Sequence, residues 1–61
     1  MNKIKQLREN ANLTQQQLSE NLNVDRSTVA KWETGEAMPR ADKLPELAKI
    51  FGCSIDYLYR G

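Results

Sequence analysis

The chain has 61 residues, nine of them lysine or arginine and eight aspartate or glutamate, which gives a formal net charge of +1 at pH 7. A chain of this length forms one domain and buries only about 60% of the surface that it exposes when extended. One cysteine and no histidine exclude an internal disulfide and argue against a zinc site. No apolar run approaches the ~18 residues that span a membrane, and the first residues lack a signal-peptide core. We therefore expect one cytoplasmic domain over residues 1–61, without cofactor, metal or small-molecule substrate.

The small net charge differs from the strong basic excess of many nucleic-acid-binding domains. If this chain binds DNA, individual side chains and helix N-termini must supply the affinity that the net charge does not. Modest non-specific affinity would follow.

The first predicted helix covers about residues 2–10. Ile4, Leu7 and Ala11 recur at helical spacing, which places them on one apolar face. An asparagine, at position 10 or 12, is expected to end the helix, since this residue tolerates the left-handed conformation. The other face is predicted to be solvated, with a phosphate contact by one basic residue as the alternative; it carries Lys3, Lys5, Gln6, Arg8 and Glu9.

Three features mark the start of a second helix at Thr14. The Thr14 hydroxyl can accept a hydrogen bond from the amide of Gln17, and the Gln17 side chain can reach back to the Thr14 amide, as in a capping box. Leu13 and Leu18 flank the cap as a hydrophobic staple. Leu18 and Leu22 then form the buried stripe of this helix.

A short turn leads into a third helix. Asn23 suits the turn because asparagine, after glycine, best tolerates a positive φ. Asp25 is the predicted N-cap, and Val24 with Val29 repeats the staple pattern around it. The helix is expected over residues 26–34. Its inward-facing residues are Val29 and Trp32.

Two further helices follow a loop. The fourth is predicted over about residues 42–51, with Asp42 as its cap and Pro45 in the first turn, where the missing N–H is harmless. Its apolar face consists of Leu44, Leu47, Ala48 and Phe51. A fifth short helix begins after its cap, Ser54, and its inward residues are Ile55 and Leu58. No segment alternates with a period of two residues, so the expected architecture is all-α, five short helices around one core.

Residues 14–34 contain the most informative pattern of the chain. Two amphipathic helices, each with its own start signal, are joined by a turn too short for antiparallel packing. This is the pattern of a helix-turn-helix, whose second helix can lie in the major groove of DNA.

Four stretches together point to a known family: residues 13–18 (LTQQQL), 22–24 (LNV), 27–35 (STVAKWETG) and 47–58 (LAKIFGCSIDYL). In their order and spacing the chain resembles the Cro/CI-type (XRE family) helix-turn-helix domains of phage repressors and bacterial regulators. The resemblance covers nearly the whole chain. It implies a compact five-helix, lambda repressor-like fold. It also implies a regulator that binds double-stranded DNA sequence-specifically, and we expect a repressor that occludes a promoter.

The resemblance implies two sets of DNA contacts. The N-terminus of the second helix would rest on the DNA backbone, since its free amides and dipole attract phosphate; the side chains there are Thr14, Gln15 and Gln16. The third helix would be the recognition helix, and its solvent face consists of Arg26, Ser27, Thr28 and Lys31. Arg26 can bond guanine O6 and N7, the commonest specific contact. Lys31 can reach a base edge or a phosphate.

Three residues depart from the family pattern. Asn23 replaces the usual turn glycine, and Ser19 replaces an alanine, so the Ser19 hydroxyl should donate to a carbonyl one turn earlier, that of Gln15. Asp25 places a carboxylate at the helix end that would approach DNA. This carboxylate can cap the helix, and it also repels phosphate. It can alternatively accept a hydrogen bond from cytosine N4.

One recognition helix reads few base pairs, so such domains usually bind as pairs on half-sites about one helical turn, ~34 Å, apart. The resemblance implies that two copies meet through the loop before the fourth helix and through the fifth helix. The apolar contacts there would be Met38, Tyr57 and Tyr59. We expect a weak homodimer that is strengthened on a palindromic operator.

Two functions stay open on the sequence alone. The first is a transcription regulator; the second is a protein-interaction module of the same fold, antitoxin-like or bridging. No enzyme is predicted, because the chain offers no nucleophile–base pair. The other basic residues expected to be solvated are Lys43, Lys49 and Arg60, and Cys53 is expected to be a small apolar packing residue.

Overall fold

The computed structural model describes residues 3–59, with side chains up to Leu58, and these residues form five helices. They are α1 (Ile4–Asn10), α2 (Gln15–Leu22), α3 (Arg26–Thr34), α4 (Leu44–Phe51) and α5 (Ile55–Tyr59). Within the described residues there is no strand, and the predicted all-α fold is confirmed. None of the helices in this part of the chain has the length and apolarity needed to cross a bilayer.

One face of each helix contributes to a single core. The buried hydrophobic side chains of the described region are Ile4, Leu18, Leu22, Val29, Trp32, Leu44, Leu47, Ala48 and Leu58. Cys53 is half-buried and packs against them, as predicted. The inward orientation predicted for Ala11 and Ile55 is wrong, since both are exposed. Ala11 follows the last helical residue, so helical spacing no longer applies to it. Among the described side chains of α5, Leu58 is the one that is buried.

The predicted helix starts agree best with the structure at Thr14 and Asp25, whose backbones are extended. The third helix has the predicted bounds, and Ser54 accepts a hydrogen bond from the amide of Tyr57 at 3.1 Å, as a cap does. Asp42, in contrast, does not cap α4, which starts at Leu44. The N-cap position falls on Lys43, whose φ of −90° and ψ of −17° are already helical. A side chain caps from an extended backbone, so no cap of the predicted type can form there.

Two asparagines adopt the left-handed conformation that ends or joins helices. Asn12 has a φ of 59° and Asn23 a φ of 61°, so the predicted turn at Asn23 is confirmed. Ser19 is fully buried beside this turn, and its hydroxyl donates to the carbonyl of Gln16 at 2.7 Å, not to that of Gln15. A hydroxyl on a helix can reach the carbonyl three residues back as well as the one four back, and spacing alone does not decide between them.

Candidate nucleic-acid interface

The second and third helices pack against each other more extensively than any other pair. Between them lies an open groove of about 660 Å³. Three of the predicted DNA-contacting residues line it, namely Gln16, Arg26 and Thr28, together with Glu20 and Asp25. The other predicted contacts, Thr14, Gln15, Ser27 and Lys31, lie outside the groove lining. The structure thus assembles the predicted residues on two adjacent helices, and only part of them in one concavity.

The exposure of α3 differs sharply between its two faces. Arg26, Ser27 and Lys31 are exposed and Thr28 is half-buried, whereas Val29 and Trp32 are 0% and 4% exposed. The apolar residues therefore fix the helix to the core, and the polar ones are available to a partner.

The start of α2 is capped by its own side chains. The amide of Gln17 donates to the Thr14 hydroxyl oxygen at 3.0 Å, and the amide of Thr14 donates to Gln17 Oε1 at 2.9 Å. The predicted capping box is confirmed. Because the Thr14 oxygen acts as an acceptor here, its own O–H is left as a donor for an external group.

The start of α3 has a different arrangement. Asp25 occupies the N-cap position with an extended backbone, φ −71° and ψ 149°, but its carboxylate makes no capping hydrogen bond within the described chain. The predicted position is right and the predicted side-chain cap is wrong, since sequence spacing does not fix the rotamer of an exposed residue. The amide of Thr28 donates instead to the backbone carbonyl oxygen of Asp25 at 3.0 Å, and the amides of Arg26 and Ser27 are left for water or an anion.

A buried ion pair connects α1 to α3. Arg8 Nε donates to Glu33 Oε2 at 2.6 Å, Arg8 Nη2 donates to Glu33 Oε1 at 3.3 Å, and the two side chains are 11% and 5% exposed. Arg8 Nη1 also donates to the carbonyl oxygen of Leu13 at 2.7 Å. The hydrogen bond with Glu33 raises the pKa of Arg8 against the opposing effect of burial. The guanidinium is therefore charged at every working pH.

The expectation that Arg8 is solvated is wrong, and the sequence contains a signal for its true position. Arg8 follows the buried Ile4 by four residues, and Glu33 follows the buried Val29 by four. Residues four apart lie on the same side of a helix, so both charges belong to inward faces. Opposite charges at two such positions indicate a pair between helices.

Gln15 joins this ion pair. Its Nε2 donates to Glu33 Oε1 at 3.0 Å, so the predicted phosphate contact of α2 is tied to α3. Gln16, the next residue, is exposed and donates to Glu20 Oε2 at 3.0 Å on its own helix. The two glutamines therefore differ in how firmly they are held.

Other basic residues also differ from their predicted solvated state. Lys43 is half-buried, because its Nζ donates to the carbonyl of Leu22 at 2.9 Å and lies 3.5 Å from Glu46 Oε2. Lys43 thereby supplies a hydrogen-bond donor to the carbonyl oxygen of the last residue of α2. Lys3 is half-buried with its Nζ 4.1 Å from the ring centroid of Tyr57. Lys5 and Lys49 are exposed as predicted, and Arg60 lies outside the described residues.

The residues predicted for dimer contacts are partly on the surface. Met38 is 57% exposed and Tyr57 is 43% exposed. The side chain of Tyr59 lies outside the described part of the structure. Among residues 3–59, no three histidine, cysteine, aspartate or glutamate side chains are grouped so as to hold a metal ion.

Comparison with known proteins identifies the family. Residues 4–58 match the model of a family described as helix-turn-helix. The HTH-type transcriptional activator BcrR of Enterococcus faecalis is 44% identical over 59 residues, which are 97% of this chain and 29% of that protein. The uncharacterized HTH-type transcriptional regulator YobD of Bacillus subtilis (strain 168) is 34% identical over 56 residues, 92% of this chain and 50% of that protein.

The chain therefore spans half or less of the length of these relatives. No solved structure matches it. Since the family model covers almost all of the sequence and the helices have the expected order, this chain belongs to the helix-turn-helix family.

Proposed function

We propose that this chain is the DNA-binding domain of a transcription regulator, which recognises a specific double-stranded sequence with α3 in the major groove. The observation that carries the proposal is the exposure of Arg26, Ser27 and Lys31 above the buried Val29 and Trp32. A helix anchored in this way can insert its polar face into a groove without exposing the core. The function is one of binding without catalysis, as is typical of the family.

The first turn of α3 supplies the side chains that recognise the bases. Arg26 presents a planar fork of donors that matches the two acceptors of guanine. Ser27 donates or accepts at either base type, and Thr28 offers a methyl group to thymine. Lys31, one turn further along, contacts a base edge or a phosphate.

The start of α2 supplies the contacts to the DNA backbone. Its first amides and its dipole attract a phosphate, and Thr14, Gln15 and Gln16 supply further donors there. These contacts would set the register of the domain on the duplex, while α3 supplies the sequence preference.

Regulation of transcription is supported by the names of the two relatives, one an activator and the other a regulator. The direction depends on where the bound site lies, since a protein over the promoter occludes it and a protein beside it can recruit polymerase. The sequence predicts repression, and the names of the two relatives do not decide between repression and activation. A weak homodimer on a palindromic site, working in the bacterial cytoplasm, completes the proposal, with Met38 and Tyr57 at the contact.

Selection from a random duplex pool, followed by titrations of the selected duplex at two salt concentrations, tests the function. Arg26→Ala should weaken binding by about 1–3 kcal/mol and relax the preference at one base pair. Lys31→Ala should weaken binding and reduce the salt dependence if the lysine contacts phosphate.

Lys49→Ala is the matched control, because Lys31 and Lys49 are both exposed lysines in the last turn of a helix, on α3 and α4 respectively. It should leave the affinity unchanged. If the selection enriches no sequence and binding to duplexes shows no salt dependence, the DNA-binding function is refuted in favour of a protein-interaction module.

A further inference from the structure

We infer that Arg8 and Glu33, which the proposed contacts do not include, are positioning residues that hold the side-chain amide of Gln15 ready to donate to a DNA phosphate. The inference rests on the proposed function and explains how one of its phosphate contacts is oriented before DNA binds.

Three helices meet at the carboxylate of Glu33. Its Oε1 accepts from Gln15 Nε2 at 3.0 Å and from Arg8 Nη2 at 3.3 Å, and its Oε2 accepts from Arg8 Nε at 2.6 Å. The carboxylate is thus fixed by α1, belongs to α3 and holds a side chain of α2. With an exposed fraction of 5%, it exchanges these partners for water only at considerable cost.

Glu33 also determines which end of the Gln15 amide faces it. An ionised carboxylate only accepts hydrogen bonds, so the NH₂ group, not the carbonyl oxygen, must face it. One N–H of Gln15 is used in this bond and the second is left over. A phosphate likewise only accepts, so the nitrogen end is the one that can bind it. Fixing the amide beforehand removes an ordering cost that an unrestrained glutamine would pay on binding.

Arg8 makes this arrangement compatible with DNA. Glu33 by itself would add a negative charge behind the helix end that attracts phosphate, whereas the ion pair has no net charge. Arg8 also donates to the carbonyl of Leu13 at 2.7 Å, immediately before the capping box. One guanidinium therefore holds both the carboxylate and the chain segment that leads into α2.

Gln16 provides an internal comparison. It is the same residue type at the next position, and it also donates to a glutamate, Glu20, at 3.0 Å. Both of these side chains are exposed, and within residues 3–59 Glu20 takes part in no ion pair. Water competes for such a bond, so the orientation of Gln16 is not fixed in advance.

A double-mutant cycle on DNA affinity tests the inference. Gln15→Ala is introduced into the wild-type chain and into a chain carrying Arg8→Met with Glu33→Leu, because replacing both members of a buried pair by apolar residues usually preserves the fold. The probe is a duplex selected from a random pool by the wild-type chain. Affinities are expressed per folded molecule, with the folded fraction measured by circular dichroism.

In the wild-type chain Gln15→Ala should weaken binding about tenfold, the effect of one hydrogen bond to a charged group. In the apolar-pair chain the same substitution should weaken it by less than about twofold, since the amide is no longer oriented. Gln16→Ala should have the same effect in both chains. A purely structural role for the ion pair would leave the effect of Gln15→Ala equal in both backgrounds, and that result would overturn the inference.

If the apolar-pair chain does not fold, Glu33→Gln replaces it as the background. This change keeps the shape of the side chain and lets its amide face either neighbour, so the effect of Gln15→Ala should again shrink. An unchanged effect contradicts positioning while DNA binding itself stands. Loss of all duplex preference in the wild-type chain refutes the proposed function instead, so the two failures are distinguishable.

Discussion

The starts of α2 and α3 share a sequence pattern and differ in structure. Each has a capping-type residue, Thr14 or Asp25, between two hydrophobic residues of a staple. In α2 the predicted exchange of two hydrogen bonds with Gln17 is present. In α3 the carboxylate of Asp25 makes no such bond to the described chain. The same local pattern therefore gives one helix start that is capped by a side chain and one whose N-cap side chain is left without such a bond.

This difference suits the two roles that we propose. A helix end that sets the register on a phosphate benefits from rigidity, and the start of α2 is held by its capping box and by the bonds of Gln15 and Arg8. A helix end that reads bases needs polar groups that are not already used within the protein. The start of α3 has these in Arg26, Ser27 and the Asp25 carboxylate.

The largest effect should come from removing the support behind α2. Arg8→Met leaves the carboxylate of Glu33 buried without its cation, and we expect the free energy of unfolding to fall by about 3 kcal/mol. Urea denaturation measures it. Lys5→Met is the control on the same helix, because Lys5 is exposed, and it should change stability by less than about 0.5 kcal/mol. Equal losses in the two variants would show that the ion pair does not support this region.

The two caps can be compared directly by truncation. Thr14→Ala should lower the free energy of unfolding by about 1 kcal/mol, the usual value of a capping hydrogen bond. Asp25→Ala should lower it by only a few tenths in about 0.5 M salt, where the attraction of the carboxylate to the helix dipole is screened. Thermal or urea unfolding measures the loss in the free energy of unfolding for both variants. A loss of the same size for Asp25→Ala would mean that its side chain caps α3 in solution.

The sequence predicts correctly those features that depend on residues close to one another along the chain. The capping box, the left-handed Asn23 and the bounds of α3 depend on neighbours within a few residues, and they were predicted correctly. The sequence predicts that Arg8 and Lys43 are solvated, whereas both have partners more than twenty residues away. Local spacing shows which face a charge occupies, but the choice of its partner depends on how the helices are assembled. The predicted DNA contacts themselves stay predictions, since they need a duplex to be tested.

The smallest effect concerns the start of α3, where the Asp25 carboxylate makes no capping hydrogen bond to the described chain. Asp25→Asn removes the repulsion of phosphate and converts an acceptor-only side chain into one that also donates. We expect weak, uniform strengthening on unselected duplexes, together with a change at one position of the selected site from cytosine, which donates through N4, to adenine, which suits asparagine. Selection from a random pool with each variant measures this.

Asp42→Asn is the control for that change of charge, because Asp42 is also exposed and lies outside the groove between α2 and α3. It should leave the selected sequence as it is. If Asp25→Asn also retains the wild-type sequence and only binds every duplex more tightly, the carboxylate repels DNA and does not read it. The start of α3 would then owe its specificity to Arg26 and its neighbours, and its contrast with the start of α2 would be one of charge as well as of side-chain capping.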